Sequence, residues 1–187
     1  MSKRIVVAAF AAAVLIAAYA ASGERREKTV DVRTPVDRIT VEEASPDGII
    51  IPVAGIHRSD LHDNFADPRT GHVHNALDIM APRGTPVVAA VDGTVRKLFT
   101  SRAGGLTIYQ FDRSEEKVYY YAHLDRYADG LREGERIARG DVIGYVGTTG
   151  NAPANSPHLH FAIQILPPTK EWWKGQAVDP YPILTAR

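Results

Sequence analysis

Apolar and polar residues alternate over short stretches from residue 49 onward, and clusters of turn-forming residues separate these stretches. A period of two is typical of strands that bury one face. No stretch after residue 48 keeps apolar residues at positions i, i+3, i+4 and i+7 over several turns, as an amphipathic helix would. The pattern therefore predicts a mainly β fold made of small antiparallel sheets or a sandwich.

Six stretches carry the strand pattern. Two of them flank Asp92-Gly93, a dipeptide that favours tight hairpin turns, so we predict that these two strands pair with each other. The last stretch ends at Pro167-Pro168, because proline has no backbone donor to continue a strand. The predicted strands are residues 85–91, 94–99, 106–111, 117–123, 141–146 and 158–166.

The N-terminal part follows a different pattern. Lys3-Arg4 precede an apolar, alanine-rich run of 17 residues that ends in small residues, as in an export signal with a cleavage site. That length is also near the lower limit of about 17–25 residues for a membrane-spanning helix, so an uncleaved anchor stays open. The following charged stretch contains Pro35 and Pro46 and resembles a linker. We predict a signal peptide or anchor at 1–22, a linker at 23–48 and one domain at 49–187.

Composition excludes several classes of function. Lys and Arg total 22, as do Asp and Glu, so the chain has no large field of one sign and we expect no nucleic acid partner. There is no cysteine, which excludes a disulfide framework, a thiolate metal site and a cysteine nucleophile. Any metal must therefore be held by histidines and carboxylates. We expect the chain to act as a monomer.

Four of the seven histidines fall in three short motifs, HNALD at 74–78, YAHL at 121–124 and SPHLHF at 156–161. Side chains alternate along a strand, so His158 and His160 would project from the same face. His74 and Asp78 are four residues apart, which co-orients them in a strand and also on a helical turn, so the spacing leaves both open. Single histidines are usually structural, but the combination of motifs indicates one shared site.

A set of His, Asp and His ligands is typical of catalytic zinc, which keeps an open position for water. Zinc lowers the pKa of bound water to about 7 and polarises a carbonyl, which suits amide hydrolysis. A proton acceptor and an oxyanion stabiliser are also needed, and His123 and the spare member of the His-x-His pair are candidates. We interpret three histidines as ordinary and five aromatics as packing residues: His57, His62 and His72, then Tyr119, Tyr120, Tyr121, Trp172 and Trp173.

At these motifs the chain resembles the LytM/lysostaphin-type zinc metallopeptidases over residues 51–166. The resemblance includes the stretches DNFADPR, APRGTPVVAAVDGTV and the glycine-rich segment 140–150. It implies a small antiparallel β domain whose long loops wall a groove, with Asn64 in one of them. Members commonly have glycine where this chain has Ala76.

The resemblance also implies roles for five side chains. Zn²⁺ would be held by His74, Asp78 and His160. His123 and His158 would flank the attacking water as general base and transition-state stabiliser, with the division between them left open. No residue pattern in the sequence decides which histidine is the base.

The function that the resemblance implies is zinc-dependent hydrolysis of peptide bonds in the stem peptides or crosslinks of peptidoglycan. The substrate would be a peptidoglycan peptide, and the protein would work in the cell envelope, periplasmic or otherwise outside the cytoplasmic membrane. The alternative is a catalytically silent or gated relative that binds peptidoglycan or regulates another cell-wall hydrolase. Competent residues fill all five positions, which favours an enzyme.

A carrier module of the lipoyl type is a further alternative, because residues 134–150 share its glycine spacing in outline. Such a carrier attaches its prosthetic group to a lysine at a hairpin tip. No lysine lies between Lys117 and Lys170, so the sequence disfavours this function.

Overall fold

The computed structural model describes residues 44–69 and 71–186. This part of the chain is mainly β, which confirms the predicted fold class. The predictions for residues 1–22 and for most of the linker fall outside the described residues. Within the described ranges, no helix is long and apolar enough to cross a membrane.

The described residues form a short 3-10 helix at Arg58–Asp60, eleven strands and a six-residue helix at the C-terminal end. Numbered in chain order, the elements are β1 (Pro68–Arg69), β2 (His72–Val73), β3 (Leu77–Met80), β4 (Pro86–Val88), β5 (Gly93–Ser101), β6 (Gly105–Asp112), β7 (Lys117–Tyr127), β8 (Arg136–Ile137), β9 (Val142–Val146), β10 (His158–Ile165), β11 (Gln176–Val178) and α1 (Pro180–Thr185).

Among the strands of the described residues, β1 and β2 form a two-stranded sheet, and the other nine form one antiparallel sheet. The central run of this sheet has the order β11-β10-β7-β6-β5-β8. β3 and β11 both lie along the side of β10 that faces away from β7. β3 pairs with the first half of β10, and β11 pairs with its second half. β9 pairs with the end of β7 on one side and with β4 on the other.

The predicted hairpin at Asp92-Gly93 is wrong. β4 pairs with β9, whereas β5 pairs with β6 and β8. Gly93 serves another purpose, because a Cβ at this position would lie 1.9 Å from the carbonyl oxygen of Phe111 on β6. The glycine therefore permits close approach of two strands and does not form a turn. All six predicted strands occur: they correspond to β4, which is shorter than predicted, and to β5, β6, β7, β9 and β10, with shifts at their ends.

The large sheet has one buried face and one partly open face. On β10, Leu159, Phe161 and Ile163 are completely buried, whereas the alternating His160 and Gln164 are partly exposed. The same alternation occurs on β7, where Tyr119 and Tyr121 join the core and Tyr120 points to the open side. We call the face that carries Asp78, Tyr120 and His160 the site face.

Candidate metal centre

Strands β3 and β10 bring three candidate ligands together. His160 and Asp78 are direct cross-strand partners, and His160 Nδ1 lies 3.0 Å from Asp78 Oδ1. His74 precedes β3, and its Nε2 lies 2.9 Å from the same carboxylate oxygen and 3.0 Å from His160 Nδ1. One donor atom from each residue lies within 4.8 Å of the other two. Two nitrogens and one oxygen that converge in this way fit the ligand chemistry of zinc.

The turn between His74 and β3 depends on Asn75. Its φ is 56°, in the left-handed region that asparagine tolerates better than most residues. Ala76, at a position where the resemblance implies glycine, is completely buried and is not among the residues with positive φ. Because the left-handed position falls on Asn75, alanine is accommodated at 76 without backbone strain.

Three of the histidines are oriented by backbone carbonyl oxygens. Nδ1 of His74 lies 2.9 Å from the carbonyl oxygen of Asn64, and Nδ1 of His123 and His158 lies 2.8 Å from those of Thr149 and Ser156. A carbonyl oxygen only accepts, so each Nδ1 carries the proton and donates it. When such a ring is neutral, its Nε2 keeps the lone pair with which it can bind a metal or accept a proton.

His123 reaches the site face because β7 contains a bulge. Tyr121 pairs with Ile108 and Leu124 pairs with Leu106, so β7 has one residue more than β6 in this stretch. Strict alternation after the buried Tyr121 would turn the side chain of His123 into the core. His123 instead adopts a φ of 59°. A β-bulge of this kind can re-aim a side chain and is common beside active sites.

With this bulge, the ring of His123 lies on the site face next to both histidines of β10. The ring centroids are 5.0 Å from that of His158 and 5.5 Å from that of His160. Nε2 of His158 also lies 3.7 Å from Asp78 Oδ1, just outside the three-ligand group. The structure thus brings all five predicted site residues together.

Asp78 is held by two residues of the segment before β3. Arg69 on β1 donates to its Oδ2 at 2.8 Å, which leaves Oδ1 facing the histidines. The side-chain amide of Asn64 accepts from the backbone N–H of Asp78 at 3.0 Å and donates to its carbonyl at 3.5 Å. The backbone carbonyl of Asn64 also accepts a hydrogen bond from His74 Nδ1, so this one residue contacts two candidate ligands. Sequence analysis placed Asn64 in a loop only and missed Arg69, although both lie in DNFADPR.

The electrostatics of the site favour metal binding at neutral pH. Burial of Asp78 opposes its ionisation, but hydrogen bonds and Coulombic attraction from His160 and His74 outweigh burial and hold its pKa far below the usual range. Burial lowers the pKa of His123 to about 4 and also lowers that of His160. A charged Asp78 carboxylate and a neutral His160 ring are the protonation states that these two residues need to bind a metal.

The histidines outside the three motifs lie elsewhere. His57 precedes the 3-10 helix, His72 lies in β2 and His62 is exposed. Among the described residues, none of these three belongs to the group that could hold a metal ion.

Comparison with known proteins identifies the family. The sequence model of peptidase family M23 matches residues 72–180, more than half of the chain. The chain belongs to peptidase family M23. This confirms the predicted resemblance to LytM/lysostaphin-type peptidases, and the matched range contains all five candidate site residues.

Two curated proteins illustrate the relation to other M23 peptidases. The L-Ala–D-Glu endopeptidase of Bacillus subtilis is 34% identical over 119 residues, which cover 61% of this chain and 35% of that protein. The peptidoglycan DD-endopeptidase ShyC of Vibrio cholerae is 38% identical over 105 residues, which cover 55% of this chain and 23% of that protein. The chain thus matches about a third or less of the length of these relatives.

Solved structures of M23 peptidases share the fold. The catalytic domain of lysostaphin from Staphylococcus simulans superposes with a TM-score of 0.53 at 29% identity, covering 62% of this chain and 82% of that one. LytU superposes with a TM-score of 0.54 at 28% identity, covering 65% of this chain and 81% of that one. The chain therefore shares its fold with these two proteins.

Proposed function

We propose that this M23 domain is a zinc-dependent peptidase that hydrolyses peptide bonds in the stem peptides or crosslinks of peptidoglycan. The observation that carries the proposal is the convergence of His74, Asp78 and His160, with His123 and His158 beside them on the same face. Relatives named as endopeptidases, one of them a peptidoglycan DD-endopeptidase, support the substrate class.

Zinc would be held by His74 through Nε2, by Asp78 through Oδ1 and by His160 through Nδ1. The donor set contains only nitrogen and oxygen, as a chain without cysteine requires. Arg69 and the carbonyl of Asn64 orient two of these ligands from outside, which is a common arrangement around metal-binding histidines and carboxylates. When bound, zinc supplies a Lewis acid that polarises the scissile carbonyl and lowers the pKa of a water molecule.

We assign the proton transfers to His123 and His158. Both rings donate Nδ1–H to a carbonyl and keep the Nε2 lone pair, so either ring can accept a proton from the attacking water. A protonated imidazole can then stabilise the developing oxyanion or return the proton to the departing amine. Burial lowers the pKa of His123, so its ring is neutral near pH 7.

We also propose that residues 1–22 are a signal peptide or membrane anchor and that residues 23–48 are a linker to a peptidase domain at 49–187. The support is the apolar run that follows Lys3-Arg4. The domain would then work in the cell envelope, on the periplasmic or extracytoplasmic side. This placement agrees with a peptidoglycan substrate.

The function is tested by digestion of purified peptidoglycan with the zinc-loaded protein, followed by mass spectrometry. We expect new amino termini or shortened stem peptides, and we expect both to vanish in a His160→Ala variant and in a chelated sample. Digestion that persists in either control would contradict a zinc peptidase. Stoichiometric zinc with intact sacculi would instead favour the gated or silent relative.

A further inference from the structure

A row of aromatic rings leads away from the candidate metal centre along the site face. Tyr120 on β7 stands edge-on to His160, with ring centroids 6.0 Å apart. Its cross-strand partner Tyr109 on β6 lies at 4.7 Å. Trp172, in the segment after β10, lies 4.5 Å from Tyr109 and 5.1 Å from Trp173. Each ring contacts the next, so the row is continuous with a proposed zinc ligand.

The outer end of the row is open to solvent. Trp173 is 56% exposed, and Phe99, whose ring lies 5.7 Å from Trp172, is 41% exposed. The sequence interpretation of the two tryptophans as packing residues fits Trp172, which packs against a small buried cluster, but it does not fit Trp173. Adjacent exposed aromatic rings that continue from a candidate active site are typical of a ligand-binding surface.

Two lysines beside the row are paired with carboxylates. Lys174 follows Trp173 and binds Glu171 at 2.8 Å. Lys97 lies across from Tyr109 on β5 and binds Glu133 at 2.8 Å. A peptide rich in carboxylates would be favoured by unpaired cations, and these two lysines are paired. The row thus suits an uncharged ligand with apolar faces.

We propose that the row formed by Tyr120, Tyr109, Phe99, Trp172 and Trp173 binds an N-acetylated amino sugar of the glycan strand that carries the cleaved peptide. The inference rests on the proposed function, which supplies a substrate made of both peptide and sugar. N-acetylated amino sugars are uncharged, and the C–H groups on their ring faces can stack on indole and phenol rings.

The length of the row fits a peptide that joins the sugar to the cleaved bond. Steps between consecutive rings, from His160 to Trp173, measure 4.5 to 6.0 Å. An extended chain advances roughly 3.3 Å per residue, so a stem peptide of about six residues is long enough to span from a sugar on Trp173 to the metal centre. One substrate can therefore occupy both places at once.

The test compares Trp173→Ala with Trp173→Phe in the full zinc-loaded chain. Two soluble substrates share one stem peptide, and only one of them carries its disaccharide. We expect Trp173→Ala to lower kcat/KM about fivefold for the substrate with sugar, through KM, because one aromatic contact is lost. We expect no change for the peptide alone, and near wild-type values for Trp173→Phe. Ile165→Ala, which truncates another exposed apolar side chain, is the matched control.

An equal loss on both substrates, or no loss on either, would overturn the sugar assignment while the peptidase proposal stands. If the wild-type protein cuts neither substrate, a binding experiment still tests whether the aromatic row binds the sugar. Titration with tri-N-acetylglucosamine should then shift the indole N–H resonance of Trp173, and maltotriose should not. An unmoved resonance would overturn the inference independently of catalysis.

Discussion

β10 and β7 lie side by side in the sheet and bring histidines to the same face by different means. β10 is regular, so His158 and His160 share a face through simple alternation. β7 is bulged, and His123 turns toward them only with a left-handed backbone. A regular strand can thus supply two site residues without strain, whereas the bulged strand supplies one and depends on its neighbours to hold an unfavourable conformation.

The largest effect should come from the regular strand. His160→Ala removes a proposed ligand, so we expect loss of stoichiometric zinc and a fall in peptidase activity of about 1,000-fold or more. Zinc content after dialysis and peptidoglycan digestion measure the two effects. Wild-type zinc content in this variant would contradict the ligand assignment. His62→Ala, at an exposed histidine outside the site, is the control.

The bulged strand should behave differently. We expect His123→Ala to keep zinc but to lower kcat about 100- to 10,000-fold, the usual range for a general acid or base. His123→Gly should be equally inactive but about 1 kcal/mol more stable than His123→Ala, because glycine adopts a φ of 59° without strain. Denaturant unfolding of both variants measures this difference. Equal stability would show that the bulge stores no strain.

Mutations at Arg69, which holds Asp78 Oδ2, should have a smaller effect, chiefly on zinc affinity. Arg69→Ala frees Asp78 Oδ2, so the carboxylate loses its fixed orientation and zinc affinity should fall about 10- to 100-fold. Arg69→Lys keeps the charge but not the planar guanidinium group, so its zinc affinity should lie between those of the wild type and Arg69→Ala. Competition with a chromogenic chelator measures all three proteins. An unchanged affinity in Arg69→Ala would mean that β3 and β10 orient Asp78 unaided.

The smallest effect concerns the support of the bulge. Thr149 accepts from the N–H of Leu106 at 3.0 Å and donates to the carbonyl of Leu124 at 2.7 Å, while its own carbonyl holds His123. Thr149→Val should cost about 1–3 kcal/mol of stability and lower kcat severalfold with zinc retained. Thr149→Ser keeps the hydroxyl and should restore most of both. If Thr149→Val matches the wild type in denaturant unfolding and in kcat, the hydroxyl does not support the bulge.

Local pattern predicted much of the fold. Alternation and turn residues located six strands, and alternation alone placed His158 and His160 on one face. The hairpin at Asp92-Gly93 failed because the choice of partner strand is not local: β9 pairs with β4 and lies far along the chain. Gly93 is required by the approach of β6, and no neighbouring residue in the sequence reveals that.

The candidate site was harder to predict from residue patterns. Alternation after Tyr121 would have directed His123 to the core, so the strand pattern did not place it at the site. The combination of histidine motifs and the resemblance to known peptidases made it a candidate. The bulge depends on contacts with distant residues, since His123 donates its backbone N–H to the carbonyl of Gly104 at 2.8 Å and its Nδ1–H to that of Thr149. The spacing of His74 and Asp78 also could not reveal that Asn64 contacts both.

The side-chain amide of Asn64 has a consequence for how substrate can approach. Within the described residues β3 pairs only with β10, so its outer edge would otherwise be open to another extended chain. On that edge the side-chain amide of Asn64 accepts a hydrogen bond from the backbone N–H of Asp78 and donates one to its backbone carbonyl. The backbone groups of Asp78 are therefore already used, and an incoming peptide cannot pair with them as an extra strand of the sheet.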